Sequence, residues 1–303
     1  MRPRSGGRER WRRVVIVGAS ATTYLLFCPA NSALSQPIDP PPEGAQVAYG
    51  WREVWTGVDA ARDQWLVYSG MTVAPWSRDI YSDGLRLRFG GGYGQYGYDI
   101  DPSRHDACEK IVAGACDDPG GGKKHYKVGQ TYAELLIGYH LRLGALTAKA
   151  FAGASMSRQK HITDVPKTAD DHDNGDGTYV GAKAALELWL DISPKAWTSL
   201  DASYTTARDE TSLRWRAGWR VTPQISVGPE LRYDKNRETD DGFWDDKESR
   251  YVRYDWDGRA GLFGRYEWQG GELSLAGGFA SPVENWTAKD RSIYGTLNVL
   301  LQF

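Results

Sequence analysis

The sequence predicts an all-β chain: a transmembrane antiparallel up-and-down β-barrel of about twelve strands, of the outer-membrane type. Three observations predict it. Apolar and polar residues alternate with period two along most of the chain, as strands with one lipid face and one lumen face require. Past the N-terminus no stretch approaches the roughly 20 apolar residues of a membrane helix. Links between alternating segments are mostly tight at one end and long and polar at the other, the asymmetry of short periplasmic turns and longer outer loops. Composition agrees, since Gly (35), Tyr (17) and Trp (13) are plentiful in 303 residues and favour strands and turns over helices. A soluble β-sandwich would also alternate. Charge repeated densely on one face, with aromatics near strand ends on the other, favours the barrel.

Residues 1–35 read as an export leader. Arg2, Arg4, Arg8, Arg10, Arg12 and Arg13 precede an apolar run from Val14 to Phe27, and Ala33 and Ser35 suit the small positions before a cleavage point at Gln36. Arg12-Arg13 invites a twin-arginine reading and Cys28 a lipoprotein one, but bulky Phe27 stands where a lipoprotein site expects a small residue. Sec-type export to the outer membrane is the expectation. Removing six arginines and one glutamate (a net +5) takes the formal charge from −2 to −7. An acidic chain of this kind is not a nucleic-acid binder, which needs a basic face. Residues 36–48, rich in Pro, read as a short periplasmic lead-in, and residues 49–303 as the barrel.

Twelve strands are expected, at 50–60, 64–74, 84–98, 126–141, 145–160, 178–191, 197–207, 211–221, 224–235, 250–268, 271–281 and 291–303. The last is the clearest. Ile293, Gly295, Leu297, Val299, Leu301 and Phe303 share one face, and Ser292, Tyr294, Thr296, Asn298 and Gln302 the other, with Leu300 the exception. Links after even strands are tight, as at Arg142-Leu143-Gly144 and Gln269-Gly270, except for 75–83; after odd strands, 99–125, 161–177 and 236–249 are long and polar. An even count closes the sheet without an edge, which lipid would penalise. Both termini then lie on the periplasmic side. No plug segment is expected. Cys108 and Cys116, the only cysteines after the leader, are expected to form a disulfide in an oxidising compartment.

The expected lumen face carries Arg86, Arg88, Lys149, Lys183, Glu187, Arg214, Arg216, Arg220, Glu230, Arg232, Arg253, Asp255, Asp257, Arg259, Arg265 and Glu267. Such charges either line a water-filled pore or pair across a narrow barrel, since a lone buried charge is costly. Trp51 and Trp55 share parity with Glu53 and Asp59, and either stack on sugars from within or anchor the interface girdle. Phe243 and Trp244, in an acidic loop, are placed to touch a glycan. The acidic run around Asp170–Asp176 fails the EF-hand pattern. No catalytic motif occurs: no G-x-S-x-G, H-E-x-x-H, Walker or dinucleotide sequence, and His140 does not converge with Ser155 or Ser157. No enzyme activity, cofactor or metal is expected.

Short segments in order along residues 50–303 resemble the cellulose biosynthesis protein BcsS family. They include Trp51-Arg-Glu-Val-Trp55, Tyr68-Ser-Gly-Met-Thr72, Asp83-Gly-Leu-Arg-Leu-Arg88, Phe151-Ala-Gly-Ala-Ser155, Ala196-Trp-Thr-Ser-Leu-Asp201, Ser226-Val-Gly-Pro-Glu230 and Arg265-Tyr-Glu-Trp268. The resemblance implies an accessory role in cellulose production at the outer membrane, as conduit or organiser of the exported glucan. A general or sugar-specific porin, or a plugged structural barrel with interaction loops, is the alternative. Expected partners are membrane lipid and lipopolysaccharide, with cellulose or other export components. The resemblance carries over no catalytic residues.

Overall fold

The computed structural model describes residues 50–62, 64–100, 124–163, 176–245, 250–282 and 291–303. The expected leader, the lead-in, and Cys108 and Cys116 lie outside them.

Twelve antiparallel strands close into one barrel: β1 (Arg52–Ala61), β2 (Gln64–Val73), β3 (Gly84–Ile100), β4 (Lys124–Leu143), β5 (Leu146–His161), β6 (Gly177–Ser193), β7 (Ala196–Thr205), β8 (Glu210–Arg220), β9 (Ile225–Asp245), β10 (Arg250–Trp268), β11 (Gly271–Pro282) and β12 (Ser292–Gln302). Each strand pairs with its chain neighbours, and β12 returns to β1 from Glu53↔Gln302 to Ala60↔Gly295. Closure leaves no edge in lipid. At the tight links, Gly144 (φ 61) and Gly270 (φ 84) adopt the left-handed conformation that side chains disfavour.

One expectation is corrected in this half of the barrel. Residues 236–249 were expected as a loop, but β9 runs to Asp245 and β10 resumes at Arg250, pairing across a register shift at Val252/Arg253. Alternation marks a strand only where one face meets lipid, so a hairpin rising beyond the bilayer leaves no such mark.

Strand parity holds all the way round. Leu135, Ile137, Leu186, Leu190, Leu231, Leu262, Leu275, Phe279, Ile293 and Leu297 stand exposed on the outside. Glu53, Asp59, Glu134, Arg216, Glu230 and Arg259 are buried inside. An apolar exterior around a charged interior is a membrane barrel, the inverse of a soluble core. Pro229 sits in β9, where the β8–β9 ladder breaks between Arg216↔Glu230 and Trp219↔Val227, as a residue without an N–H dictates.

The even-numbered link from Ala74 to Asp83 does more than turn. Its Ala74 and Ile80 are buried, their N–H groups donating to Trp51 O and Gly50 O at 2.8 Å each. Arg86 donates to Ile80 O at 2.8 Å and also to Ser82 O, tying the link to β3. Tyr81 reaches Gln302, whose amide donates to its hydroxyl. Burial raises the Tyr81 pKa above its ordinary 10.0. These bonds fold the link back against the ends of β1, β3 and β12. It is too short and too polar to announce itself by periodicity.

Candidate lumen site

The lumen is built by parity. Inward positions on β1 to β4 include Gly57, Gly70, Gly90 and Gly92, and three rings lie in the space those glycines leave. A Cβ added at Gly70 would stand 2.1 Å from the Trp55 ring, one at Gly57 2.6 Å from Tyr68, and one at Gly92 2.7 Å from Tyr132. Trp55 therefore points inward, with the Arg88 guanidinium 5.1 Å from its ring centre. Trp51 parts from it. Trp51 precedes the first paired residue of β1, is 43% exposed and packs at 4.7 Å on Arg52, which also covers Phe303.

Charges from different walls meet in the middle. Lys149 on β5 reaches Glu53 on β1 at 3.6 Å and Glu187 on β6 at 3.7 Å. Glu187 accepts from Arg88, Arg88 lies 3.3 Å from Glu134, and Glu134 pairs with Lys183. The chain Glu53–Lys149–Glu187–Arg88–Glu134–Lys183 thus joins β1, β5, β6, β3 and β4. On the other side Asp59 takes Arg259 at 2.5 Å and also Arg232, which holds Asp234 at 2.7 Å. Arg214 pairs with Asp201 at 2.7 Å, and Arg216 with Glu230 at 2.6 Å. Pairing of this density answers the cost of removing each charge from water.

Near the even-link rim the β6–β10 side is filled by an aromatic floor. Trp189 and Trp197 stack at 4.0 Å, Trp197 donates to Ser226 Oγ at 3.2 Å, and Phe263 lies 5.4 Å away. Arg265 caps Trp189 at 4.5 Å and pairs with Glu267 at 2.9 Å and Glu272 at 2.5 Å. Arg220 pairs with Asp191 at 2.6 Å on the same rim. Sequence reasoning missed Trp189, Trp197, Phe263, Tyr68 and Tyr132. Parity with Glu187, Asp201, Arg265 and Glu134 marks Trp189, Trp197, Phe263 and Tyr132 as inward, whereas β2 carries no inward charge that would mark Tyr68.

Among the described residues, two chambers lie within the lumen. The inner one, about 370 Å³, is lined by Glu53, Trp55, Tyr68, Arg88, Lys149, Glu187 and Arg214 among others. The outer one, about 320 Å³, lies toward the rim of long loops and includes Gln64, Tyr96, Gln130, Ser155, Ser157, Ser203 and Asp257. Tyr132, Lys183, Ser203, Ser212 and Arg232 border both. For Arg253, Asp255, Phe243 and Trp244 only the backbone is described, on β10 and β9. Among the described residues no three His, Cys, Asp or Glu side chains form a metal-binding group.

The sequence model of a family described as cellulose biosynthesis protein BcsS matches residues 53–303. No curated protein matches the chain. Similar solved structures include the transport unit of the autotransporter AIDA-I from Escherichia coli (11% identity, 88% of this chain and 93% of that one, TM-score 0.45). The toluene transporter TbuX of Ralstonia pickettii (9%, 84% and 90%, 0.40) and the KdgM porin in complex with disordered oligogalacturonate (9%, 83% and 99%, 0.43) are others.

Proposed function

The chain belongs to the BcsS family of cellulose biosynthesis proteins, and from that premise we propose that it is an outer-membrane organiser of exported cellulose. On this reading it holds glucan or export components at the outer rim and does not thread a chain through its lumen. Residues 1–35 act as its Sec-type export leader. The observation that carries the choice of organiser over conduit is the ion-pair chain that crosses the lumen between Glu53, Lys149, Glu187, Arg88, Glu134 and Lys183. A passing glucan would have to break several of these pairs at once, and each separated partner is left as a buried charge. The floor of Trp189 and Trp197, with the Ala74–Asp83 link opposite, supports the same reading.

Two measurements test it. Deletion of the gene is expected to lower surface-attached cellulose while synthesis of the polymer continues. The purified barrel in a planar bilayer is expected to show little or no steady conductance. A large, stable conductance blocked by cello-oligosaccharides in proportion to their length would establish the conduit instead, and unchanged cellulose attachment would remove the family role.

A further inference from the structure

Building on that reading, we infer that the outer chamber is a binding site for a short stretch of neutral, hydroxyl-rich polysaccharide. In this family that would be a cello-oligosaccharide segment. The inference deepens the proposed function by assigning the residues and the ligand class.

The first support is an unanswered polar group. Ser157, inward on β5 and 4% exposed, lines the chamber with its hydroxyl making no hydrogen bond among the described residues. Buried hydroxyls are normally paired, so an unpaired one in the chamber wall calls for a partner supplied from outside the fold. The second support is the chemistry around it. Gln130 and Ser203 share the wall with Ser155, Ser212 and Tyr96, which bond Thr205, Asp234 and Gln159 and keep acceptor lone pairs, so the wall offers both donors and acceptors. Arrays of mixed donors and acceptors suit vicinal hydroxyls, which also do both. Tyr132 brings a ring to the inner boundary, offering an apolar surface to a sugar ring.

The third support decides the charge class. Among the described residues, each cation lining the chamber is already answered by a carboxylate: Arg232 and Arg259 by Asp59, and Lys183 by Glu134. An anionic saccharide would have to displace one of these carboxylates and strand it, whereas a neutral one leaves the pairs intact. The chamber volume of about 320 Å³ lies at the small end of ligand sites, which run from roughly 300 to 1,000 Å³. That favours a few sugar units over a continuous chain. The chamber also lies in the half of the barrel nearer the long links, the side on which exported polymer would arrive.

Calorimetric titration of the full barrel in detergent micelles with cellotetraose, and separately with tetragalacturonate, tests the inference. Saturable binding of cellotetraose is expected, with tetragalacturonate binding far more weakly. Ser157→Leu, which removes the hydroxyl and adds apolar bulk to the chamber wall, is expected to weaken binding by about tenfold or more. Ser157→Ala, which removes only the hydroxyl, is expected to weaken it by a smaller factor. Retention of the heat-modifiable gel shift shows that each variant is folded. Absence of binding, tighter binding of tetragalacturonate, or affinity unchanged in both variants would overturn the site. If cellotetraose fails to bind while gene deletion still strips surface cellulose, the chamber assignment falls and the organiser role stands. If deletion leaves cellulose untouched while Ser157-dependent binding persists, the reverse holds.

Discussion

The inward side chains are held by pairing, and pairing has an asymmetric cost. Arg216 and Glu230 illustrate it: they meet at 2.6 Å, Glu230 is 2% exposed, and the Tyr294 hydroxyl donates to the same carboxylate at 3.3 Å. Arg216→Ala would leave that carboxylate buried without its cation. A loss of about 3–5 kcal/mol is expected, read as a lower temperature for the heat-modifiable gel shift. Arg216→Met with Glu230→Leu, which removes both charges and keeps the volume, is expected to recover most of the loss. If the double variant is as unstable as the single one, the pair does more than neutralise itself. The charged half of this site was legible because Arg214, Arg216, Glu230 and Arg232 alternate against apolar neighbours. Their partners across the lumen were not, because a pair such as Lys149–Glu53 depends on how twelve strands curve together.

At the scale of the element, the strands were readable where each residue has a lipid or a lumen side. β12 illustrates this: its expected faces return in the pairing with β1 and β11. Leu300, the exception to that alternation, lines the inner chamber beside Trp55, where one apolar side chain fits among aromatics. The extension of β9 past residue 235 and the Ala74–Asp83 link were not readable, since neither keeps a period. The link is nevertheless held by contacts no ordinary turn makes, to Gly50, Trp51, Arg86 and Gln302. Replacing residues 75–82 with a short Asn-Gly turn is therefore expected to leave β2 and β3 paired and to release those contacts. Small, flickering conductance steps should appear in a planar bilayer where the parent barrel gives none. If the shortened barrel stays silent, the aromatic floor and the ion-pair chain are sufficient to close the lumen.

Across the whole molecule, the two faces of one sheet obey opposite solvents, and the same substitution has opposite consequences on each. Ile137 on β4 points to lipid and is 53% exposed, midway along a row that includes Leu135 and Tyr139. Ser203 on β7 points inward and borders both chambers. A lysine at position 137 places an ammonium against hydrocarbon, with an expected cost of about 2–4 kcal/mol near the bilayer midplane. A lysine at position 203 projects into the polar lumen, so it is expected to cost much less. Urea-dependent folding into lipid vesicles compares Ile137→Lys with Ser203→Lys directly, and equal losses would contradict the assignment of faces. In detergent, whose tails pack loosely and let water reach the belt, the penalty at 137 should shrink while that at 203 stays the same. That difference between solvents separates a lipid-facing position from one that is merely crowded, because crowding follows the barrel into either environment.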